Sequence, residues 1–128
     1  MTQWTGDQHD RFGSAEEVEI ASVGLDGKVR KPVTVWVVRI GDDLYLRSVS
    51  GRSGHWFRGT EERHEGRILA GGVQQDVTFV DADRAIDDKV DAAYRTKYGR
   101  YAGSILNSVL TPEARAATLK LVPRTTGS

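Results

Sequence analysis

One short segment, residues 42–59, concentrates the residue types that bind anions. Serine, glycine and arginine crowd the junction between a strand predicted over 43–49 and a helix predicted to begin near residue 53. Backbone N–H groups at a helix N-terminus, together with a guanidinium group, place several donors and positive charge around one point. The segment therefore predicts a phosphate site, and its candidate ligands are Ser48, Ser50, Gly51, Arg52, Ser53 and Arg58.

A plainer interpretation of this segment is a tight turn followed by a helix that Ser53 caps, with the arginines in solvent. The glycine and lysine spacings of the P-loop and of the dinucleotide-binding loop are absent. The phosphate hypothesis therefore depends on composition and local structure, and the plainer interpretation stays open beside it.

The preceding strand adds Lys31, Thr34 and Trp36 to the candidates. In an antiparallel pair of strands, Lys31 or Thr34 would face the same cavity as Ser48. The alternative is that Lys31 lies at an edge in solvent and that Trp36 packs in the core.

A second ligand-facing stretch is the tyrosine-rich run at 93–101, which holds Tyr94, Tyr98 and Tyr101 among basic residues. Tyrosines and cations beyond a helix end can line a pocket mouth and stack on a flat ligand. The alternative is that Tyr94 and Tyr98 anchor an amphipathic helix in the core.

Other chemistries have weaker signals. His9, His55 and His64 do not have the spacing of a metal site, so no metal is expected. The chain has no cysteine, which excludes disulfides and thiolate catalysis. No Gly-x-Ser-x-Gly elbow is present, although a histidine and a serine could still meet in space.

The bulk composition limits the partners. The 128 residues include 18 basic and 18 acidic residues, and this balance argues against a general nucleic-acid or anionic-membrane binder. No apolar run approaches the roughly 20 residues that span a bilayer, and the polar N-terminus lacks a signal-peptide core. We expect a cytoplasmic protein whose partner is a small molecule.

The elements that must position these residues are mostly strands. Alternation of polar and apolar residues predicts six of them, over 17–23, 33–40, 44–49, 67–70, 73–80 and 118–122. A 3.6-residue period predicts a helix over 82–98, and Thr111-Pro112 predicts the start of another. The fold class is mainly β with peripheral helices. A single domain over 1–128 is expected, with 1–14 as an N-terminal arm or short helix and 124–128 as a frayed tail.

These motifs resemble a bacterial domain-of-unknown-function family, number 2255. The resemblance covers nearly the whole chain, and its most distinctive part is the run Ala-Tyr-Arg-Thr-Lys-Tyr-Gly at 93–99. Further matching runs lie at 18–20, 35–38, 44–48, 51–52, 56–57, 70–72, 77–79 and 118–123. The family has no established activity.

More remotely, the chain is similar to the split β-barrel proteins that bind FMN or the deazaflavin coenzyme, including pyridoxamine-phosphate-oxidase-like and deazaflavin-dependent nitroreductase-like proteins. Ser48, Gly51 and Trp56-Phe57 stand where that superfamily has a strand-end serine, a glycine turn and a Trp-aromatic pair. The resemblance implies a six-stranded split β-barrel and a homodimer.

Three functions are compatible with these residues. The first is a flavin- or deazaflavin-binding protein, which as an enzyme would be an oxidoreductase. In this first function, the phosphate of the cofactor is held by Ser48, Arg52 and Ser53, together with Lys31 and Arg58. The ring of the cofactor is flanked by Trp36, Tyr45 or Trp56. The second is a cofactor-free split barrel that binds a small ligand or serves as an interaction module. The third is a hydrolase or lyase that uses His55 with a serine or tyrosine.

Overall fold

The computed structural model describes residues 4, 6–15, 17–49, 51–53, 55–70, 72–99 and 104–123. Its strands are β1 Val18–Ser22, β2 Val33–Val35, β3 Val37–Ile40, β4 Asp43–Arg47, β5 Glu65–Ala70, β6 Val73–Asp81 and β7 Thr118–Pro123. Its helices are α1 Gly6–Ser14, α2 His55–Arg63, α3 Asp87–Tyr98, α4 Ser104–Asn107 and α5 Pro112–Ala116. Short 3₁₀ turns lie at Gly51–Ser53 and Arg84–Ile86.

The antiparallel sheet curves into a nearly closed barrel because one stretch of chain, residues 33–40, forms both of its ends. The strand order is β2-β1-β5-β6-β7-β4-β3. β2 pairs with β1, β3 pairs with β4, and Trp36 alone separates β2 from β3. A single run rich in β-branched residues therefore joins the two ends of the sheet by changing partner at Trp36.

The barrel interior is filled by alternate residues of the strands and by aromatic groups from the helices. Phe12 of α1 and Phe57 of α2 are fully buried there. Trp4 closes one side, since its ring packs edge-on against Phe12 and its indole N–H donates to Leu121 O at 3.1 Å. The apolar strand residues of this core include Val18, Ile20, Val35, Val37, Leu44, Leu46, Ile68, Val77, Phe79, Leu119 and Leu121.

Gly66 allows close packing on the β5 side of the barrel. A Cβ atom at this position would lie 2.3 Å from Ala21 O and 2.5 Å from the Phe79 ring. The Phe79 ring therefore occupies the space that a side chain at residue 66 would need. This explains why a glycine stands within the β5 strand, where it would otherwise weaken the strand.

A second apolar layer lies outside the barrel, where α3 covers β3 and β4. Helix periodicity puts Val90, Tyr94 and Tyr98 on one face, and they pack on Val38 and Tyr45. Both Tyr94 and Tyr98 are at most 1% exposed, so the structure places them in the core of this layer. Tyr101 lies outside the described residues.

The structure confirms the predicted class, mainly β with peripheral helices. It has seven strands instead of six because the predicted strand 33–40 is divided at Trp36. The predicted helix over 82–98 begins only at Asp87. Asp83 accepts a hydrogen bond from Ala85 N at 2.9 Å and starts a 3₁₀ turn first. Thr111 caps α5 as expected, through a 3.1 Å bond from Ala114 N.

The helices are short. The longest, α3, has 12 residues. Within the described part of the chain, no helix has the length and apolar character needed to cross a membrane.

Candidate functional site

Two neighbouring cavities meet at Trp56, in the first turn of α2. One is an open cleft of about 1000 Å³, and the other is a smaller cavity of about 190 Å³. The half-buried Trp56 side chain lines both of them. Trp56 is therefore the residue at which the two cavities adjoin.

The open cleft is basic. It is lined by Arg30, Lys31 and Arg58, which come from two separate parts of the chain. Lys31 and Arg58 are exposed, and among the described residues neither forms an ion pair. Their positive charges are therefore available to an anionic ligand. Ser22, Pro32, Val33 and Gly59 complete the wall.

Close packing between α2 and β1 brings these cations together. A Cβ atom at Gly59 would lie 2.9 Å from the Ser22 hydroxyl, so the absence of a side chain at this position favours the close approach. Phe57, fully buried in the barrel, fixes the same turn of α2. Arg58 is thereby held beside the segment that carries Arg30 and Lys31.

The smaller cavity is bordered by two tryptophans. Trp36 and Trp56 line it together with apolar and polar groups, namely Glu17, Thr34, Val35, Arg47, Val49, Ser108 and Val109. Such a lining suits a flat apolar ring with polar groups at its edge.

Helix α3 holds Trp36 in place. The Tyr98 ring stacks on the Trp36 ring with centroids 4.0 Å apart and planes 2° from parallel. Tyr94 donates its hydroxyl to Trp36 O at 2.8 Å, and Tyr98 donates to Val37 O at 3.3 Å. These donors satisfy carbonyl groups at the point where the strand changes partner, so the motif at 93–99 supports a wall of the cavity.

Arg47 forms a buried ionic cluster behind the cavity. Its side chain is fully buried, and its Nε donates to Thr118 Oγ1 at 2.9 Å. One terminal nitrogen donates to Asp91 and to Val109 O, and the other donates to Asp87 O at 3.0 Å. A guanidinium bonded in this way is a structural centre that ties β4 to β7 and α3.

Two further arginines complete the cluster from outside. Arg84 donates to Asp87 Oδ2 at 2.8 Å, and Arg115 lies 3.4 Å from Asp91 Oδ2. Asp87 and Asp91 are 3% and 8% exposed, so two charged residues of α3 lie on its buried face. Their burial is tolerated because each carboxylate has cationic partners.

Burial shifts the pKa values of three groups near α3. It raises the pKa of Tyr94 well above its ordinary value, so this phenol stays a neutral donor. Burial, with a smaller contribution from Asp43, also raises the pKa of Tyr45. Burial and then the positive charge of Arg39 lower the pKa of Lys97 to about 8.

The predicted phosphate ligands do not all face the cleft. Lys31, Trp56 and Arg58 line it, and Trp36 meets Trp56 in the adjoining cavity. Arg52 instead contacts other parts of the protein. It donates to Ala116 O at 2.9 Å and lies over the Phe57 ring. Its guanidinium is 3.3 Å from Asp81 and 3.6 Å from Glu61.

Ser48 at the strand end and Gly51 in the turn do not line either cavity. Ser48 is 1% exposed, and its hydroxyl has no hydrogen-bond partner within the described part of the chain. Gly51 has φ +73° and packs against Glu113, where a Cβ atom would lie 3.1 Å from the Glu113 Cβ. Ser50 and the side chain of Ser53 lie outside the described residues.

Sequence reasoning missed the Arg47 cluster and the part played by Arg30. A signal for the first was available, because Asp87 and Asp91 stand four residues apart and fall on the face of Val90 and Tyr94. Arg30 directly precedes Lys31, and that basic pair was the signal for the cleft. Among the described residues, no group of three or more histidine and acidic side chains could hold a metal ion.

The curved seven-stranded sheet has the split-barrel fold. The chain belongs to the family described as "Uncharacterized protein conserved in bacteria (DUF2255)", whose model matches residues 8–121. This confirms the family resemblance inferred from the motifs. A comparison with curated proteins found no match.

Solved structures establish the fold. A putative pyridoxamine 5'-phosphate oxidase from Listeria innocua is 13% identical, with 87% of this chain and 86% of that chain covered and a TM-score of 0.61. An F420 reductase is 17% identical, with 96% and 97% covered and a TM-score of 0.52. An FAD-binding protein from Mesorhizobium loti is 12% identical, with 96% and 92% covered and a TM-score of 0.58.

Proposed function

We propose that this chain binds a flavin or deazaflavin cofactor and acts as a reductase. The observation that carries the proposal is the meeting of a basic cleft with a tryptophan-bordered cavity at Trp56. Such a cofactor has a phosphate-bearing side chain at one end and a flat ring at the other. Relatives of the same fold include proteins named as an F420 reductase and as an FAD-binding protein, which supports this ligand class.

The residues present fit this ligand. Lys31 and Arg58, with Arg30, offer the positive charge that a phosphate requires, in a cleft of about 1000 Å³. Trp36 and Trp56 border the space for the ring, and Thr34, Ser108 and Glu17 offer polar groups around it. Ser48, Gly51 and Arg52 are not assigned to the phosphate, because none of them lines either cavity and Arg52 is bonded to Ala116 O.

The bound cofactor would supply the hydride chemistry, and the protein would supply orientation and electrostatics. Tyr98 backs the Trp36 ring, and Tyr94 fixes the Trp36 backbone, so this wall of the cavity is preorganised. Rigid positioning of this kind lowers the free-energy cost of ordering a ligand.

The test is a thermal-shift and absorbance titration of the purified protein with FMN, FAD and the deazaflavin coenzyme. At 100 times its dissociation constant, a true ligand stabilises the fold by about 2.7 kcal/mol. In the double variant Lys31→Gln/Arg58→Gln, we expect its affinity to fall at least about tenfold, since charge-assisted bonds are lost.

The matched control is Lys89→Gln/Arg95→Gln, which removes two exposed charges from α3 and should leave the affinity unchanged. If both double variants bind the cofactor with equal affinity, the cleft does not hold its phosphate. No shift with any of the three cofactors would favour the cofactor-free ligand binder. Light scattering on the same samples tests the homodimer that the split-barrel resemblance implies.

A further inference from the structure

Lys97 occupies an unusual position on α3, on a part of the surface distinct from the two cavities. Its half-buried ammonium group donates to Val37 O and lies 5.0 Å from the centre of the Tyr98 ring. Most lysines instead place the amine in water. The amine is therefore fixed in one place and partly shielded from solvent.

A groove of about 350 Å³ opens beside this amine. Small residues of α1 and α3 form much of its wall, including Gly13, Ala92 and Ala93, and Thr96 adds a hydroxyl. The groove is therefore wide enough for a small molecule to approach the Lys97 amine.

Arg39 places a second cation in the groove. Its alkyl chain lies against Gly13, where a Cβ atom would come within 2.2 Å of it, and its Nη1 donates to Asp10 at 2.9 Å. The guanidinium is thus held in a defined position near Lys97. Among the described residues Asp10 pairs with Nη1 alone, which leaves Nε and Nη2 as a docking point for a small anion such as a phosphate.

Burial and the facing charge of Arg39 lower the pKa of Lys97 to about 8. Among the described residues, the charged or titratable groups near it include Arg39 on β3, Asp10 behind Arg39 on α1, and the Tyr98 phenol on α3 itself. A sizeable fraction of the amine is therefore neutral near neutral pH, in contrast to an ordinary lysine. A neutral amine can donate one N–H to Val37 O and still carry a lone pair.

We propose that Lys97 is a selective acylation site whose acyl donor is an acyl phosphate, with the phosphate group beside Arg39. The neutral amine attacks the carbonyl carbon, a C–N bond forms, and the C–O bond to phosphate breaks. Phosphate leaves with that electron pair, and the proton of the amine passes to water. Nothing is oxidised or reduced, and this site does not depend on the cofactor proposal.

The test is incubation of the folded protein with acetyl phosphate at pH 7, followed by peptide mass spectrometry of every lysine. Lys89 is the internal control, since it lies exposed on the same helix. We expect Lys97 to be labelled at least about tenfold faster than Lys89, because the pKa of Lys97 is lowered and more of its amine is neutral than in an ordinary lysine. Its labelling rate should rise with pH and level off above about pH 8.

Two controls separate reactivity from docking. The variant Arg39→Gln should slow labelling of Lys97 by acetyl phosphate more than labelling by an uncharged N-hydroxysuccinimide ester of acetate. Guanidinium-unfolded protein should show no preference among the lysines. Equal labelling of Lys97 and Lys89 in the folded protein overturns the proposal. If Arg39→Gln slows labelling by both reagents equally, Arg39 does not bind the phosphate group of the acyl donor.

Discussion

Arg47 and the two cleft residues Lys31 and Arg58 carry the same positive charge in opposite surroundings. Arg47 is completely buried, and its guanidinium donates to Thr118, Asp91, Val109 and Asp87. Lys31 and Arg58 are exposed at the edge of the cleft, without an ion pair among the described residues. The difference separates an arginine that organises the fold from cations that can hold a ligand.

An arginine near a cavity is not by itself a ligand-binding residue. Arg47 lines the tryptophan-bordered cavity, yet its described hydrogen bonds go to protein atoms. Arg52, in the segment with the strongest phosphate pattern, is bonded to the α5–β7 turn. The number of protein partners, more than the residue type, therefore distinguishes structural cations from available ones.

The largest effect is expected for Arg47→Ala. The substitution leaves Asp87 and Asp91 buried with fewer cationic partners, and we expect the free energy of unfolding to fall by about 3–5 kcal/mol. Urea denaturation measures this change in the free energy of unfolding. Arg47→Lys restores the charge without the fork of donors and should recover only part of the loss. A loss below about 1 kcal/mol would place Arg47 with the available cations instead.

An intermediate effect is expected for Arg52→Ala. Its bond to Ala116 O and its contact with Phe57 support the fold, whereas its ion pairs are long and half exposed. We expect a loss of about 1 kcal/mol in urea denaturation and an unchanged affinity for any cofactor found by titration. A tenfold loss of affinity for the cofactor, which corresponds to about 1.4 kcal/mol of binding free energy, would show that Arg52 binds the phosphate after all.

The smallest effect on stability is expected for the cleft variant Lys31→Gln/Arg58→Gln. Because both side chains are exposed, the free energy of unfolding without ligand should change by less than about 0.5 kcal/mol. The same urea experiment, run beside Arg47→Ala, measures this contrast. A loss of more than about 1 kcal/mol would mean that these cations also hold the fold together, and the contrast with Arg47 would disappear.

Much of the fold could be predicted from sequence because its signals are local. Alternating residues gave the strand positions at 18–22, 73–81 and 118–123, and Thr111-Pro112 gave the start of α5. The break at Trp36 could not be predicted, since residues 33–40 have strand-forming character throughout. Only pairing with two different partners, β1 and β4, divides that run.

Four residues that the sequence predicts for the site, Lys31, Trp36, Trp56 and Arg58, line the two cavities, and their role in binding stays a prediction. Their meeting depends on the close approach of α2 to β1 at Gly59, a contact between residues far apart in sequence. A local pattern carries no information about such a contact, so the sequence could not show that Lys31 and Arg58 line one cleft.

The amino-acid sequence by itself determined the secondary structure, the family and the presence of a basic, glycine-rich segment. These properties depend on local periodicity, turn residues and composition. The tertiary structure alone decided which cations are used inside the protein and which face a cleft. It did so because burial and partner geometry, which arise only when distant segments pack, determine whether a charge must be neutralised by the protein or stays available to a ligand.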